Sequence, residues 1–314
     1  MDEEILRAKF LGSLVGTAVG DAVGAGFEGL RMAEPEAIEA ATAGKELLVY
    51  TDDTHMMIGM TESLVYREGF DGEHMAHTFA RNYEREPWRG YGPGPPQIFR
   101  MIRAGEAWDK AAEKVYRGGS YGNGSAMRIA PVGVFYHDDF AMLKEVAYKS
   151  SQITHSHELG KEGAALQACA VALAMNLETA EALGTREFLA KLGEFVKHEL
   201  YKQKLAKVEM LLGEVDRAGV VAELGNGVEA FNSVPTAIYS FLSHFGSFEE
   251  AILFAVSLGG DTDTIAAMTG AIAGAYQGVD SVPNKWQMKL ENRIYIEELA
   301  KVLYDVWGRK RRGK

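Results

Sequence analysis

An all-α fold is what this sequence predicts, and three observations carry the expectation. Apolar residues recur at three- and four-residue spacing in segment after segment, with Lys and Glu between them. Strand signals are nearly absent. Two stretches are so rich in small residues that they read as tightly packed central helices. No linker, repeat or low-complexity tract divides the 314 residues, so residues 1–314 are expected to form one helical domain ending in a short basic tail, 308–314.

In chain order, the first small-residue stretch is Gly12 to Gly26 (GSLVGTAVGDAVGAG). Glycine costs a helix about 1 kcal/mol relative to alanine, so a chain carrying this many gains something else, most simply close helix-to-helix or backbone-to-ligand approach. Thr51-Asp52-Asp53-Thr54 stands directly before an apolar pattern of helical period (Met56, Met57, Met60, Leu64) and so opens a helix. Pro87 to Pro96 and Arg117 to Gly124 are irregular Gly/Pro-rich loops; Pro95 and Pro96 are expected to stiffen the first. Phe140 to Tyr148 is helical in period, and so is the run Phe188, Leu189, Leu192, Phe195, Val196, Leu200. Asn123-Gly124 and Asn226-Gly227 lack alternating flanks and are not read as hairpins. Glu249 to Leu258 is a further helix. Asp261-Thr262-Asp263-Thr264, preceded by Gly259-Gly260, opens the second small-residue helix, Ile265 to Tyr276, and Ile294 to Trp307 is the last.

Composition bounds the function. A hydrophobic content of 47% with 25% charged residues describes an ordinary globular protein, and a net charge of −11 disfavours nucleic acid and anionic membranes as direct partners. Cys169 is the only cysteine, so an intrachain disulfide is impossible. No apolar run reaches the ~18 residues a bilayer span needs, and the acidic N-terminus is unlike a secretory signal. A cytoplasmic monomer is the expectation.

The two Asp/Thr clusters carry the chemistry. Asp and Thr are favoured N-cap residues, and a single one at a helix start needs no function. Two carboxylates per cluster exceed what capping requires. Hard carboxylate and hydroxyl oxygens suit Mg²⁺, Mn²⁺ or Ca²⁺ rather than zinc, and neither cluster resembles a twelve-residue calcium loop. Asp21, within the first small-residue helix, and Glu28, at its end, are also acidic; an isolated acid is more often a solvated helix face.

In order along the chain, Gly20-Asp21 with Glu28, Thr51 to Thr54, Gly122-Asn123-Gly124-Ser125-Ala126-Met127-Arg128, Thr154-His155-Ser156-His157 and Gly259 to Thr264 resemble the ADP-ribosylglycohydrolase (ADP-ribosyl-acceptor hydrolase) family, from about residue 8 to about residue 280. The resemblance implies a compact orthogonal helical bundle and an enzyme binding two divalent cations, Mg²⁺ or Mn²⁺. Thr51, Asp52 and Asp53 would hold one ion, and Asp261 and Thr264 the other, with Asp263 bridging and Glu28 catalytic. Five carboxylates against two divalent cations nearly balance in charge; without cations they would repel one another and take up protons.

Phosphate-bearing ligands need backbone N–H donors and little side-chain bulk, which Gly90, Gly92 and Gly94 and the segment Gly119-Ser120-Tyr121-Gly122-Asn123 can offer. Simple turns are the competing explanation. The forms Arg-Gly-Tyr-Gly-x-Gly and Gly-Ser-Tyr-Gly-Asn-Gly resemble the family branch acting on serine-linked and poly-ADP-ribose. There the Tyr121 position stacks on adenine, the Ser120 position touches phosphate and the His155 position lies near the phosphates. Tyr116 is the candidate to face Tyr121, and Pro93 departs from the expected small residue. A structural hydrogen-bonding role is as good a local reading for His155 and the preferred one for His157. The expected reaction is hydrolysis at C1″ of ADP-ribose conjugates, whether modified protein, polymer or O-acetyl-ADP-ribose. The alternatives are a catalytically silent ADP-ribose- and metal-binding protein, or a hydrolase of another nucleotide-sugar or nucleoside.

Overall fold

The computed structural model describes residues 2–177, 184–213 and 216–312. Among these the chain forms seventeen α-helices, short 3-10 segments and no strand; isolated bridges pair Leu48 with Leu290 and Gly122 with Glu229. No helix among them is long and apolar enough to cross a membrane. Buried apolar side chains from nearly every helix join in one cluster.

At its centre, helix Glu3–Gly24 lies against helix Thr262–Gln277. A Cβ placed on Gly12, Gly16, Gly20 or Gly24 would come within 2.3, 2.3, 2.1 and 2.5 Å of the carbonyl oxygens of Gly274, Gly270, Ala266 and Thr262. One series climbs by fours as the other descends, so the two helices run antiparallel with backbones in contact. Any larger side chain in this stripe would push them apart. Hydrogen bonds from Ser13 Oγ to the Ala271 carbonyl (3.0 Å) and from Thr262 Oγ1 to the Gly24 carbonyl (2.9 Å) fix the register. The contact is what the glycines supply in exchange for their helix-propensity cost.

Antiparallel packing has a direct consequence for the site. The end of the first helix, with Asp21 and the following turn that carries Glu28, is set beside the start of the second, with Asp261, Asp263 and Thr264. A third helix, Asp52–Arg67, delivers its own N-terminus to the same place.

Four local expectations differ from the structure. The run from Phe188 to Leu200 is two helices, Thr185–Phe195 and Glu199–Leu211. The Lys197 N–H is captured by the buried carboxylate of Glu162, and His198 caps the new helix by accepting from the Leu200 N–H (3.1 Å). Pro95 and Pro96 do not stiffen a loop but open helix Pro95–Arg103, where their missing N–H groups cost nothing. The basic tail is not a loose end: Gly308 to Arg312 are the last turns of helix Arg293–Arg312, where Arg309 pairs with Glu68 (3.1 Å) and Arg311 with Asp138. Residues 313 and 314 lie outside the described residues. Asp21 is no solvated helix face; it is fully buried.

A candidate metal and ligand site

Thr51 is the N-cap of helix Asp52–Arg67, in extended backbone geometry. What holds it there is Asp21. One oxygen of that carboxylate accepts from the Thr51 N–H (3.0 Å) and hydroxyl (2.9 Å), the other from the Thr54 N–H (3.0 Å) and hydroxyl (2.6 Å). Because Asp21 satisfies these donors, Asp52 and Asp53 are released from capping. Asp53 is 2% exposed, its Oδ2 lies 3.2 Å from Thr51 Oγ1, and its Oδ1 is buried with no partner. A buried carboxylate oxygen with no donor is costly, and a cation is the simplest group to complete it.

The second helix start behaves alike. Asp261 occupies the N-cap position of helix Thr262–Gln277 but makes no capping bond. Its Oδ2 instead accepts from Asn123 Nδ2 (2.5 Å), which also contacts Ser233 Oγ (3.0 Å). The Asp261 N–H donates to the Asn226 carbonyl (2.8 Å). Gly259 and Gly260, with φ of +70° and +74°, make the turn into this helix, and a Cβ on Gly260 would strike the Asn226 carbonyl at 2.3 Å. Ligand oxygens of Glu28, Asp261 and Asp263 lie within 4.8 Å of one another, a spacing that admits one cation among them.

The electrostatics of the cluster tell the same story. Burial pushes Asp52 up to about 7, with Asp21, Asp261 and Glu28 adding to the shift. Burial, reinforced by Asp261, Asp21 and Glu28, takes Asp263 to about 9. Asp53 is raised well above the usual carboxylate range by burial and by Asp263. Glu28, exposed in its turn, is raised by partial burial and then by Asp261, and burial also raises Asp21 and Asp261. So many acids facing one another without a cation would hold protons at neutral pH. Their number, oxygen chemistry and the orphaned Asp53 oxygen fit hard divalent cations.

These acids floor a cavity of about 280 Å³. Glu28, Thr51, Asp52, Asp53, Asp261, Asp263 and Thr264 line it together with Gly90, Gly92, Gly94, Ser120, Gly122, Asn123 and His155. Gly90 has φ +90° and faces Asp52, and the Tyr116 ring lies on Gly94, where a Cβ would meet it at 2.5 Å. The His155 ring lies against Gly122 and Gly124 with its Nδ1 paired to Thr154 Oγ1 (2.8 Å). Burial, with Arg128 adding to it, drives this imidazole down to about 3, so it is neutral and its Nε2 is the atom left toward the glycines.

Two of the candidate ligand-binding residues are not among the residues lining the cavity. Gly119, at φ +83°, packs on Ser156 and His157, where a Cβ would come within 2.3 Å of the His157 nitrogen. Tyr121 is 48% exposed, with its ring edge-on to His157 (5.5 Å) and tilted against Phe231 (6.0 Å). Sequence reasoning also assigned no role to three residues that build the site: Asp21, Arg128 and Asn226. For Asp21 a signal existed, because it neighbours Gly20 in a stripe of glycines every fourth residue, where no charge can reach water. Arg128 is fully buried, donating to the carbonyls of Gly124 (3.1 Å) and Ser150 (3.2 Å) beneath the ligand side of the cavity.

Comparison with known proteins shows the family to which the chain belongs. The family model described as ADP-ribosylglycohydrolase matches residues 2–313. ADP-ribosylhydrolase ARH3 of Bos taurus is 38% identical, over 96% of this chain and 93% of its own. ADP-ribosylarginine hydrolase Tri1 of Pseudomonas putida is 27% identical, over 97% of this chain and 79% of its own. A solved structure, an ADP-ribosylglycohydrolase-related protein complex, superposes with a TM-score of 0.74 at 25% identity, covering 96% of this chain and 99% of that one. With its family model matched from end to end and a relative at 38% identity, the chain belongs to the ADP-ribosylglycohydrolase family.

Proposed function

We propose that the protein is a divalent-cation-dependent hydrolase of the glycosidic bond at C1″ of ADP-ribose conjugates, releasing ADP-ribose. The observation that carries this reading is that five acids and five glycines line one cavity, with one buried Asp53 oxygen unpartnered. Family membership supplies the substrate class. The identity to ARH3 of Bos taurus exceeds that to Tri1, named an ADP-ribosylarginine hydrolase, and the loop forms around Gly90 and Tyr121 resemble the branch acting on serine-linked and poly-ADP-ribose, so those substrates are favoured over arginine-linked ones.

Thr51, Asp52 and Asp53 would hold one Mg²⁺ or Mn²⁺, and Asp261 and Thr264 a second, with Asp263 shared between them. Cations bound there would supply electrostatic stabilisation of the charge that develops at the reacting ribose. Glu28 alone of the five acids is exposed, and its raised proton affinity suits a group that holds or moves a proton at the scissile bond. Backbone N–H groups of the Gly90–Gly94 and Ser120–Asn123 segments would receive the pyrophosphate, where side chains would fill the space. Neutral His155 offers the phosphates a hydrogen-bonding dipole without a competing charge.

The test is release of ADP-ribose from serine-ADP-ribosylated peptide, poly-ADP-ribose and arginine-ADP-ribosylated protein, each with Mg²⁺, Mn²⁺ or EDTA. Metal-dependent release, fastest from serine-linked or polymeric substrate, is expected. Binding of ADP-ribose without release from any of them would move the protein to a non-catalytic binding role. Neither binding nor release would overturn the substrate class.

A further inference from the structure

Two walls of the cavity come from separate segments, the Gly90–Gly94 loop and the Thr51 helix start, and their separation sets what fits between them. One buried guanidinium lies where both are anchored. Arg89 is 6% exposed and immediately precedes Gly90. Its Nη1 donates to the Tyr50 carbonyl (3.2 Å), the residue immediately before Thr51, and its guanidinium stacks over the Tyr50 ring at 4.2 Å. Its Nε donates to Glu86 (2.6 Å). The remaining face is taken by Glu291, 202 residues further on, which receives Nη1 at 2.6 Å and Nη2 at 3.1 Å in a two-pronged pair.

Glu291 is itself held in place. Its N–H donates to the Leu48 carbonyl (3.0 Å), the Leu48 N–H donates to the Lys289 carbonyl (2.8 Å), and Asn292 Nδ2 reaches Tyr50 OH (2.9 Å). The strand-like segment 48–50 leading into Thr51 is thus laced to residues 289–292, and the Gly90 loop is tied to both through Arg89. On the far side of Gly90, Tyr91 OH pairs with His55 Nδ1 (2.8 Å) on the Asp52–Arg67 helix. Gly90, at φ +90°, is fastened by the residue on either side of it.

We infer that Arg89 and Glu291 form a clamp that positions the Gly90–Gly94 loop against the Thr51 helix start, making Glu291, which lies outside the cavity, a positioning residue for ligand binding. The inference rests on the functional reading above for the identity of the ligand. A two-pronged charged pair is directional as well as strong, and without Glu291 the guanidinium keeps only Glu86, beside the same loop, and the Tyr50 carbonyl. Glu291→Ala therefore loosens the loop without touching any residue of the cavity.

The experiment compares wild type, Glu291→Ala, Glu291→Gln, Arg89→Met and the double variant Arg89→Met/Glu291→Ala. Each is measured for ADP-ribose affinity by calorimetry in Mg²⁺, for KM and kcat, and for amide exchange across residues 90–94. Glu291→Ala should weaken ADP-ribose binding and raise KM by about tenfold, with kcat within about threefold, because Glu28 and the acids keep their places. Glu291→Gln, which keeps the shape and part of the hydrogen bonding, should lie between. The double variant should bind no worse than Arg89→Met, as expected when both residues act through one contact. Exchange at Tyr91 and Gly92 should quicken in Glu291→Ala while helix Thr262–Gln277 is unaffected. Unchanged affinity and unchanged loop exchange in Glu291→Ala, whatever its melting temperature, would overturn the clamp. Should wild type fail to bind ADP-ribose, the functional reading falls and the exchange result alone decides the clamp.

Discussion

Asp21→Asn isolates the residue that frees the Thr51 cluster for ligation. Asp21 uses both oxygens, one on the backbone and hydroxyl of Thr51 and one on those of Thr54, at distances of 2.6 to 3.0 Å. Asparagine retains one acceptor and turns an amide NH₂ toward the other pair. The hydroxyls can rotate away, but one backbone N–H is left facing a donor. A buried group stranded in this way costs about 1–3 kcal/mol, and removing one charge from a crowded acid cluster offsets part of it. The melting temperature of metal-free protein should therefore move by only a few degrees. Metal affinity should move more. Residues that orient ligands from behind typically contribute 10–100-fold to affinity, so Mn²⁺ binding should weaken by that factor. At fixed Mn²⁺ this removes roughly 1.4–2.7 kcal/mol of metal-dependent stabilisation, so the Mn²⁺-induced rise in melting temperature should shrink. Calorimetric titration with Mn²⁺ beside thermal melts in EDTA and in Mn²⁺ reads both quantities. An Mn²⁺ affinity within twofold of wild type, with a lowered metal-free melting temperature, would reduce Asp21 to a packing role and refute the reasoning.

Three further outcomes follow from the same geometry. Glu28→Gln should lower kcat by about 10²–10⁴-fold while ADP-ribose affinity in calorimetry stays within a few-fold, since the group acts on a proton and not on the ligand's phosphates; a parallel loss of affinity would contradict that role. Gly124→Ala would set a Cβ 2.6 Å from His155 Cε1, forcing the ring or the loop to shift, so ADP-ribose binding should weaken by about tenfold or more with Mn²⁺ affinity kept. The pH dependence is fixed by sign: acids with folded-state proton affinities raised above the usual 3.8 bind more protons folded than unfolded. Metal-free protein should lose stability as pH rises from about 4 towards the values of about 7 for Asp52 and about 9 for Asp263, and apparent Mg²⁺ affinity should climb over the same range as those protons leave. Melts in EDTA that are flat or rising across that interval would contradict the crowded-acid account.

Local chemistry made much of this molecule legible in its sequence. Helical periodicity announced the helices, and the glycine runs Gly12 to Gly26 and Ile265 to Tyr276 announced close packing because nothing else justifies their propensity cost. The two Asp/Thr clusters stood out because each held more carboxylates than a helix cap uses, and the structure brings both, with Glu28, to one cavity. What stayed hidden depends on distant partners. The break at Lys197 arises because Glu162, 35 residues earlier, takes its N–H. Asp21 sits beside the glycine stripe, which marks it as buried, but what it does there depends on the Thr51 segment that arrives to donate to it. Arg89 looks like a loop residue until Glu291 closes on it. The sequence offers Tyr116 as a partner to face Tyr121, yet its ring rests on Gly94, a contact that no spacing along the chain encodes.

The most direct test of the account is the number of divalent cations the acids hold. Metal-stripped protein would be titrated with Mn²⁺ by equilibrium dialysis and paramagnetic resonance, beside Asp263→Asn. Two ions per chain, magnetically coupled in wild type and uncoupled or reduced in number in Asp263→Asn, is the predicted result. No ion bound at millimolar Mn²⁺, or two ions bound identically when Asp263 is replaced, would contradict it.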